Sequence, residues 1–271
     1  MKTTASYDFQ NEYRGPASEL ERLRIQTLLS WEREARLLQW LGLQDGMRVL
    51  ELGSGPGFVT EQLLKLLPAS SLTAVDVDAQ LLARAAEHLS GKVNGRLKLI
   101  QSSVTATGLP DNSYDFALAR YLFQHLADPV AAAREIKRVL KPGGKLAIVD
   151  VDAMLWGIVE PFFPQLQAIQ AKAARAQSES GGNRLVGRQL WRILREAGYQ
   201  QVELESFVYH SDAQGLDLFL AQLDPDRLQR ALKGGYISPA EFETAQALYQ
   251  QFVTAPNAYV LMVGLIGCGK K

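Results

Sequence analysis

The chain has 271 residues, with Lys plus Arg at 29, Asp plus Glu at 29 and hydrophobic residues at 47%. This is the composition of a folded globular protein, long enough for one large domain with insertions or two smaller ones, and it excludes disordered and collagen-like chains. Zero formal net charge leaves no global electrostatic drive toward nucleic acid or an anionic membrane.

Met1 to Gly15 is polar and mixed in charge, without the apolar core of a signal peptide. Residues 18–41 read as a helix opened by a capping box, Ser18 with Glu21, and carry an apolar stripe at Leu28, Trp31, Ala35 and Leu38. From Arg48 onward, β-rich runs alternate with helical patterns. Arg48 to Leu52 leads through Gly53-Ser-Gly-Pro-Gly57 into an amphipathic run that Pro68 stops, and Ser71 to Val75 leads through Asp76 into the helical Leu81 to Leu89. Further strands are Leu97 to Gln101, Tyr114 to Ala119, Lys145 to Val151 and Gln201 to Tyr209. The last three each follow a turn signal: Pro110-Asp-Asn-Ser113, Lys141-Pro-Gly-Gly144 and Ala197-Gly198. Asp128 caps and Pro129 opens the helix that ends near Leu140.

Such alternation predicts βαβ units around a parallel sheet. Two stretches interrupt it, residues 154–182 and 211–256; the second holds two helices, the later one opened by Ser238-Pro239 with a capping box to Glu241. Both stretches, with the N-terminal helix, are expected to cover a pocket at the carboxyl edge of the sheet, where open α/β folds bind ligands. The longest apolar stretch, Tyr259 to Ile266, is far below the roughly 20 residues that a bilayer crossing needs. Cys268, the only cysteine, excludes an intrachain disulfide and a cysteine-rich metal site and suits a reducing compartment. The expectation is a cytoplasmic protein.

The informative motif is Glu51-Leu-Gly53-Ser-Gly55-Pro-Gly57-Phe58, set between a strand and a helix. Glycines there allow a sharp turn and let a ligand touch bare backbone, while the next helix presents unpaired N–H groups. Asp76 ends the following strand, where a carboxylate can accept both hydroxyls of a ribose. A dinucleotide-binding turn would place its third glycine three positions after the second. Gly57 comes only two after Gly55, Phe58 stands where that glycine would be, and Glu51 would set a like charge against a pyrophosphate.

In these motifs the chain resembles the class I S-adenosylmethionine-dependent methyltransferases, most closely the branch acting on small molecules and quinones. VLELGSGPG resembles the family's first motif, LTAVDVD its second, and GLPDNSYD with LKPGGKLAIVDVD its later ones, together spanning residues 45–152. The resemblance implies an α/β fold: a seven-stranded, mostly parallel Rossmann-like sheet with an antiparallel last strand, about Ala258 to Gly264. It also implies a helical N-terminal cap over residues 1–44 and a methyltransferase domain over 45–271 with helical lid insertions at about 154–182 and 211–256. S-adenosyl-L-methionine is the implied cofactor. Glu51 and the turn at Gly53, Ser54, Gly55 and Gly57 would hold its methionine half, Asp76 its ribose and Val77 its adenine. Val104 and Arg120 would complete the cofactor side, and Tyr13, Arg22 and Gln26 match a segment that closes over the cofactor in some members. One departure stands out: Ser103 occupies the place of the usual Asp that reads the adenine amino group.

Methyl transfer requires the acceptor held in line with an already activated methyl group and water excluded; acidic oxygens also call for a base. The candidates are His125 after the fourth strand, His210 at the end of the sixth, and Asp152, which follows Asp150 at the end of the fifth. A structural histidine and a solvated loop histidine are the competing readings of His125 and His210, and His88 reads as a charge partner at a helix C-terminus. No Asp-Asn pair completes an oxygen shell around Asp150 and Asp152, so no metal is expected. Aromatic residues that include Tyr7, Tyr121, Trp156, Phe163 and Tyr209 crowd the same edge, where they serve either the core or a pocket. Asn183-Arg-Leu-Val-Gly-Arg188 is either a solvated helix face or a site for an acidic substrate. The implied function is methylation of a small organic molecule at O, N or C, with no nucleic-acid or membrane partner. Use of the cofactor for another reaction such as cyclisation, or non-catalytic cofactor binding, are the alternatives.

Overall fold

The computed structural model describes residues 7, 9, 14–93, 95–155 and 157–271. The first element is helix α1 (Pro16–Trp40), and it starts earlier than the sequence pattern suggests. Gly15 takes the N-cap position with φ 95° and Pro16 the first turn, so Ser18 lies inside the helix, and Glu21 pairs with Arg24 instead of closing a capping box. Trp31, Ala35 and Leu38 are buried, but Leu28 faces outward at 44% exposure; the polar Thr27, Ser30 and Glu34 are buried instead.

Strand β1 (Arg48–Leu52) is buried continuously from Val49, the mark of a parallel strand covered on both faces. It is followed by α2 (Phe58–Leu66), β2 (Ser71–Asp76), α3 (Ala79–His88) and β3 (Leu97–Gln101). Asp78 caps α3, accepting from the N–H groups of Gln80 and Leu81. Next come β4 (Tyr114–Arg120), α4 (Pro129–Val139) and β5 (Leu140–Asp150); Asp128 accepts from the Ala131 N–H at 2.8 Å, as its position before Pro129 predicts. The remainder is β6 (Gly157–Glu160), α5 (Pro164–Glu179), α6 (Leu190–Glu196), β7 (Gln200–His210), α7 (Ser211–Gln214), α8 (Asp217–Leu223), α9 (Gln229–Lys233), α10 (Pro239–Thr254) and β8 (Tyr259–Lys270).

These strands form one sheet in the order β3-β2-β1-β4-β5-β8, with β7 on the far side of β8. Strands β1 to β5 are parallel and β8 runs antiparallel to both neighbours. The sheet has eight strands where seven were expected. Residues 265–270 of β8 pair with β5, which leaves its first turn of pairing groups, residues 259–262, for β6 to fill. The stretch read only as a cover therefore opens with a strand. β8 also runs six residues beyond the expected end at Gly264. Its glycines do not break it, because each marks a close approach: a Cβ at Gly264 would lie 2.1 Å from the Phe207 ring, and at Gly267 2.8 Å from Leu190.

Two core clusters flank the sheet, one joining α1, α2 and α8 to it and the other α4 and α6. A third, with Ile169, Ala176, Leu228, Ala231 and Ala245, joins α5, α9 and α10. The stretch 211–256 holds four helices rather than two, and the Ser238–Glu241 capping box of α10 is present. Overpacking in a fitted interior costs about 1–3 kcal/mol. Gly264→Ala is therefore expected to lower the unfolding free energy by about that amount in urea denaturation; an unchanged midpoint would show that the Phe207 ring moves aside freely.

Candidate functional site

A cavity of about 2020 Å³ opens at the carboxyl edge of the sheet, beneath α1, α5 and the α8–α10 segment. That is roomier than the roughly 300–1,000 Å³ of a single small-ligand pocket. Its floor is the turn after β1. Gly53, Gly55 and Gly57 all adopt left-handed φ (70°, 54° and 84°), and the N–H groups of Gly53 and Ser54 both donate to the Val75 carbonyl at 2.8 and 3.1 Å. This bends the turn over the end of β2. Asp76 there accepts from the Gly55 N–H at 2.7 Å through one carboxylate oxygen and from the Asp78 N–H at 2.9 Å through the other. A carboxylate has about four lone-pair sites, so each oxygen retains one for a ligand. Burial raises the Asp76 carboxyl, against the lowering effect of those N–H donors. A Cβ on Gly55 would meet nothing within 4 Å and would project into open space. Beside it, the buried Ser54 hydroxyl has no hydrogen-bond partner among the described residues.

Of the residues that the resemblance assigns to the cofactor, Gly53, Ser54, Gly55, Asp76 and Val77 form this wall. Ser103 and Val104 continue it past β3, with the Ser103 hydroxyl 2.9 Å from that of Thr105; Arg22, Gln26 and Arg120 close it from above. Glu51 and Gly57 stand behind the wall. The Glu51 carboxylate accepts from the Thr60 hydroxyl at 2.6 Å, and Gly57 is needed for helix packing, since a Cβ there would come 3.0 Å from Leu89 and 3.1 Å from Ala85. Burial pushes the Glu51 carboxyl up to about 8, with Asp76 adding to the rise. Tyr13 and Trp156 lie outside the described residues.

Arg120 and Tyr121 at the end of β4 were expected at the site, but the buried partners of Arg120 on α1, Glu34 and Ser30, were missed by pattern reading. The Arg120 guanidinium, on the cavity wall, donates to Glu34 on α1 at 2.8 and 2.9 Å, and also to the Ser30 hydroxyl and the Gln26 carbonyl. It lies 4.5 Å from the ring centroid of Tyr121, a bulky residue held at φ 52°. Tyr121 and Tyr209 both line the cavity, and burial holds both phenols above their ordinary value. The available signal was the polar i, i+4 pair Ser30 and Glu34 on the inward side of α1.

His125 faces the cavity, and it is the one proposed base that does. Burial and then Arg184, Arg230 and Arg22 push its ring down to about 3, so it is neutral. The Gln177 amide nitrogen donates to the Gln124 carbonyl at 3.3 Å and reaches His125 Nδ1 at 3.4 Å. Nδ1 therefore accepts, and the ring proton sits on Nε2. Asp152 does not reach the cavity: Arg188 holds it through two bonds of 2.5 and 2.7 Å, which overcome burial and keep its carboxyl below the usual range. His210 lies off the wall as well, at the start of α7 with its ring 6.0 Å from that of Tyr259. Both were placed by strand-end position, which ignores the chain that follows. Asp150 is sealed beneath the turn that carries His125, accepting from the Gln124 N–H at 3.1 Å. His88 pairs with Glu61 at 2.9 Å. Among the described residues, no cluster could hold a metal ion and no helix is long and apolar enough to cross a membrane.

A family model described as a methyltransferase domain matches residues 50–148. A demethylmenaquinone methyltransferase of Chlamydia pneumoniae is 35% identical over 134 residues, 47% of this chain and 55% of that protein. Among solved structures, a Haemonchus contortus phosphoethanolamine N-methyltransferase in complex with S-adenosylhomocysteine superposes with a TM-score of 0.56 at 20% identity, covering 89% of this chain and 52% of the other. The [4+2]-cyclase SpnF superposes with a TM-score of 0.51 at 21% identity, covering 88% and 80%. The chain spans about half the length of the first two of these proteins.

A carboxyl that binds its proton more tightly when folded stabilises the fold below its unfolded value, and that contribution is lost as pH rises through the folded value. For Glu51 the window runs from 4.5 to about 8, and Asp150, raised by burial to about 7, acts in the same sense. The unfolding free energy should thus fall as pH rises through the upper part of this window, above about 6.5; below that, His125, lowered by burial to about 3, works in the opposite sense, because the unfolded chain takes up its proton first. Glu51→Gln should shrink the fall, as read by urea denaturation at both ends of that upper part; an equal fall in both proteins would place the titration elsewhere.

Proposed function

We propose that this chain is a class I S-adenosylmethionine-dependent methyltransferase that transfers the cofactor's methyl group to a small organic acceptor at oxygen, nitrogen or carbon, a reading supported by its methyltransferase-domain match and its likeness to a demethylmenaquinone methyltransferase. The observation that carries this reading is the pairing of Asp76, each oxygen already oriented by one backbone N–H, with the partnerless Ser54 hydroxyl on the same wall. The residues fit the cofactor. Asp76 offers two acceptor sites to ribose hydroxyls, Ser54 offers a hydroxyl to the methionine half, and Val77 with Val104 offers apolar surface to the adenine. Ser103 takes the adenine edge, where its hydroxyl replaces the more usual carboxylate.

The bound cofactor supplies a methyl group already activated by its sulfonium. What remains for the protein is alignment and exclusion of water. Tyr121 and Tyr209 wall the cavity on the acceptor side of the glycine turn, and α1 with α5 covers it. His125 lines the cavity there as a neutral ring and does not serve as a base, since a ring pushed down to about 3 abstracts protons poorly at neutral pH.

Calorimetry is expected to show binding of S-adenosylhomocysteine, and Asp76→Ala should weaken it by roughly 1.5 to 3 kcal/mol, the worth of charge-assisted hydrogen bonds. Preferential binding of NAD, or indifference to Asp76→Ala, would overturn the assignment. Ser103→Asp should leave the affinity unchanged or raise it by adding an acceptor for the adenine amino group; a collapse would show that Ser103 is not at the adenine edge. Methyl transfer itself is read as a methylated product from a panel of phenols, amines and carboxylates.

A further inference from the structure

We infer that the acceptor is an extended, amide-bearing molecule, a short peptide or a close analogue, that pairs as a further strand with the open edge of β6. That it is the acceptor rests on the methyltransferase reading; how it is recognised rests on the hydrogen-bond pattern of the sheet.

In an antiparallel pair, the backbone groups of successive residues point alternately to the two sides of a strand, and directly opposite residues exchange both hydrogen bonds or neither. Two contacts fix the phase of β8. The Val260 N–H donates at 3.0 Å to the hydroxyl of Ser211, the residue after β7, and the Lys271 N–H, just past the end of β8, donates at 2.8 Å to the Gly144 carbonyl in β5. Even-numbered residues of β8 therefore turn their backbone groups to β7, and odd-numbered ones to β5 and β6. Ile158 and Glu160, opposite Leu261 and Tyr259, direct their groups to β8. Gly157 and Val159, opposite Met262 and Val260, turn theirs the other way. No strand lies on that side, and neither residue's backbone has a hydrogen-bond partner there among the described residues.

That side is the cavity. Alongside β8, β6 takes up the line of β5 beyond Asp150, whose partner is Leu265. The neighbour of β5 on its outer side is β4, and β4 stops at Arg120. The open edge of β6 therefore faces the space beyond the end of β4, and every residue of β6 lines the cavity, as Tyr121 does. Gly157 and Val159 stand two residues apart in an extended strand, about 6.5–7 Å, and each presents one N–H donor and one C=O acceptor. An added strand matches both that spacing and that alternation of donor and acceptor, whereas an aliphatic chain would desolvate these groups and satisfy none of them. The edge is only four residues long and is followed by Pro161, which has no N–H, so it suits a small extended molecule and not the edge of a second sheet. Val159 and Phe163 pack on the same core as Leu223 and Phe252, and all four line the cavity. An apolar side chain on the bound residue has surface to meet there.

The test compares N-acetyl-leucyl-alanyl-leucine methylamide with the depsipeptide of the same side chains, in which ester oxygens replace the amide N–H groups. Binding is read by calorimetry with and without S-adenosylhomocysteine. The peptide is expected to bind about tenfold or more tighter than the depsipeptide, since each lost donor leaves a carbonyl of the edge unmet. Val159→Pro removes the N–H that faces the cavity and leaves the ladder to β8 intact, because that N–H takes no part in it. It should weaken the peptide about tenfold and leave binding of S-adenosylhomocysteine unchanged. Val159→Ala, which keeps both backbone groups, should leave the peptide affinity close to that of the parent. Equal binding of peptide and depsipeptide, or the same peptide affinity in Val159→Pro as in Val159→Ala, would overturn the inference. Melting curves by circular dichroism check the fold of the variants, and if Val159→Pro fails to fold, the comparison of peptide with depsipeptide on the parent chain decides. Peptide preference without binding of S-adenosylhomocysteine would remove the methyltransferase reading and keep the edge site; the reverse result would remove the edge site alone.

Discussion

Arg120 leaves the end of β4 and enters the inward face of α1, where Glu34 is fully buried and Ser30 donates to it at 2.5 Å. Removing one partner of such a pair strands a buried charge, at a cost of about 3–5 kcal/mol. The pair therefore permits one seating of α1: rotated or shifted by a residue, the helix would bury Glu34 without its cation. Seated in this way, α1 carries Arg22 and Gln26 over the cavity, and the guanidinium presses on Tyr121, whose strained backbone is further fixed by its N–H donating to the Val149 carbonyl at 2.7 Å. The α1 side of the cover and the aromatic wall beside it are tied to one electrostatic contact.

Burial gives that contact its leverage and also raises the carboxyls around the glycine turn. At the glycine turn the carboxyls of Glu51 and Asp76 lie close together and are raised by burial, so the region favours a ligand that brings hydroxyl donors or positive charge. His125 faces the same cavity and is held neutral, chiefly by burial.

The roof depends on cooperation between segments far apart in sequence. Helices α5 and α9 are short or weakly amphipathic, and neither could bury its apolar side alone. Packed with α10 they form a separate small core, while Phe219 and Leu223 of α8 join the main core beside α1. Strand β6 ties the first insertion to the sheet through β8, so the roof is fixed at its base and rests on α1 at its top. Gln222 joins the two, accepting from Arg22 through its side-chain oxygen and donating to the Arg22 carbonyl.

Local patterns in the sequence determined the alternating strands and helices, the cap at Asp128, the capping box at Ser238 and the glycine turn with Asp76 at its side. Each is a matter of neighbours in the chain: hydrophobic period, capping chemistry, and left-handed backbone that only glycine adopts cheaply. The last strand, expected to end at about Gly264, continues to Lys270, and only the folded structure shows why Gly264, Gly267 and Gly269 belong in it: each lies against a side chain that a Cβ would meet. His125, His210 and Asp152 looked alike as polar residues near strand ends. Tertiary structure alone separated them: Arg188, which took Asp152 off the cavity, lies 36 residues away, and the Gln177 that sets the His125 tautomer lies 52 residues away. Ion pairs and buried fields are sums over groups that meet only when the chain is folded, and no window of sequence contains those sums.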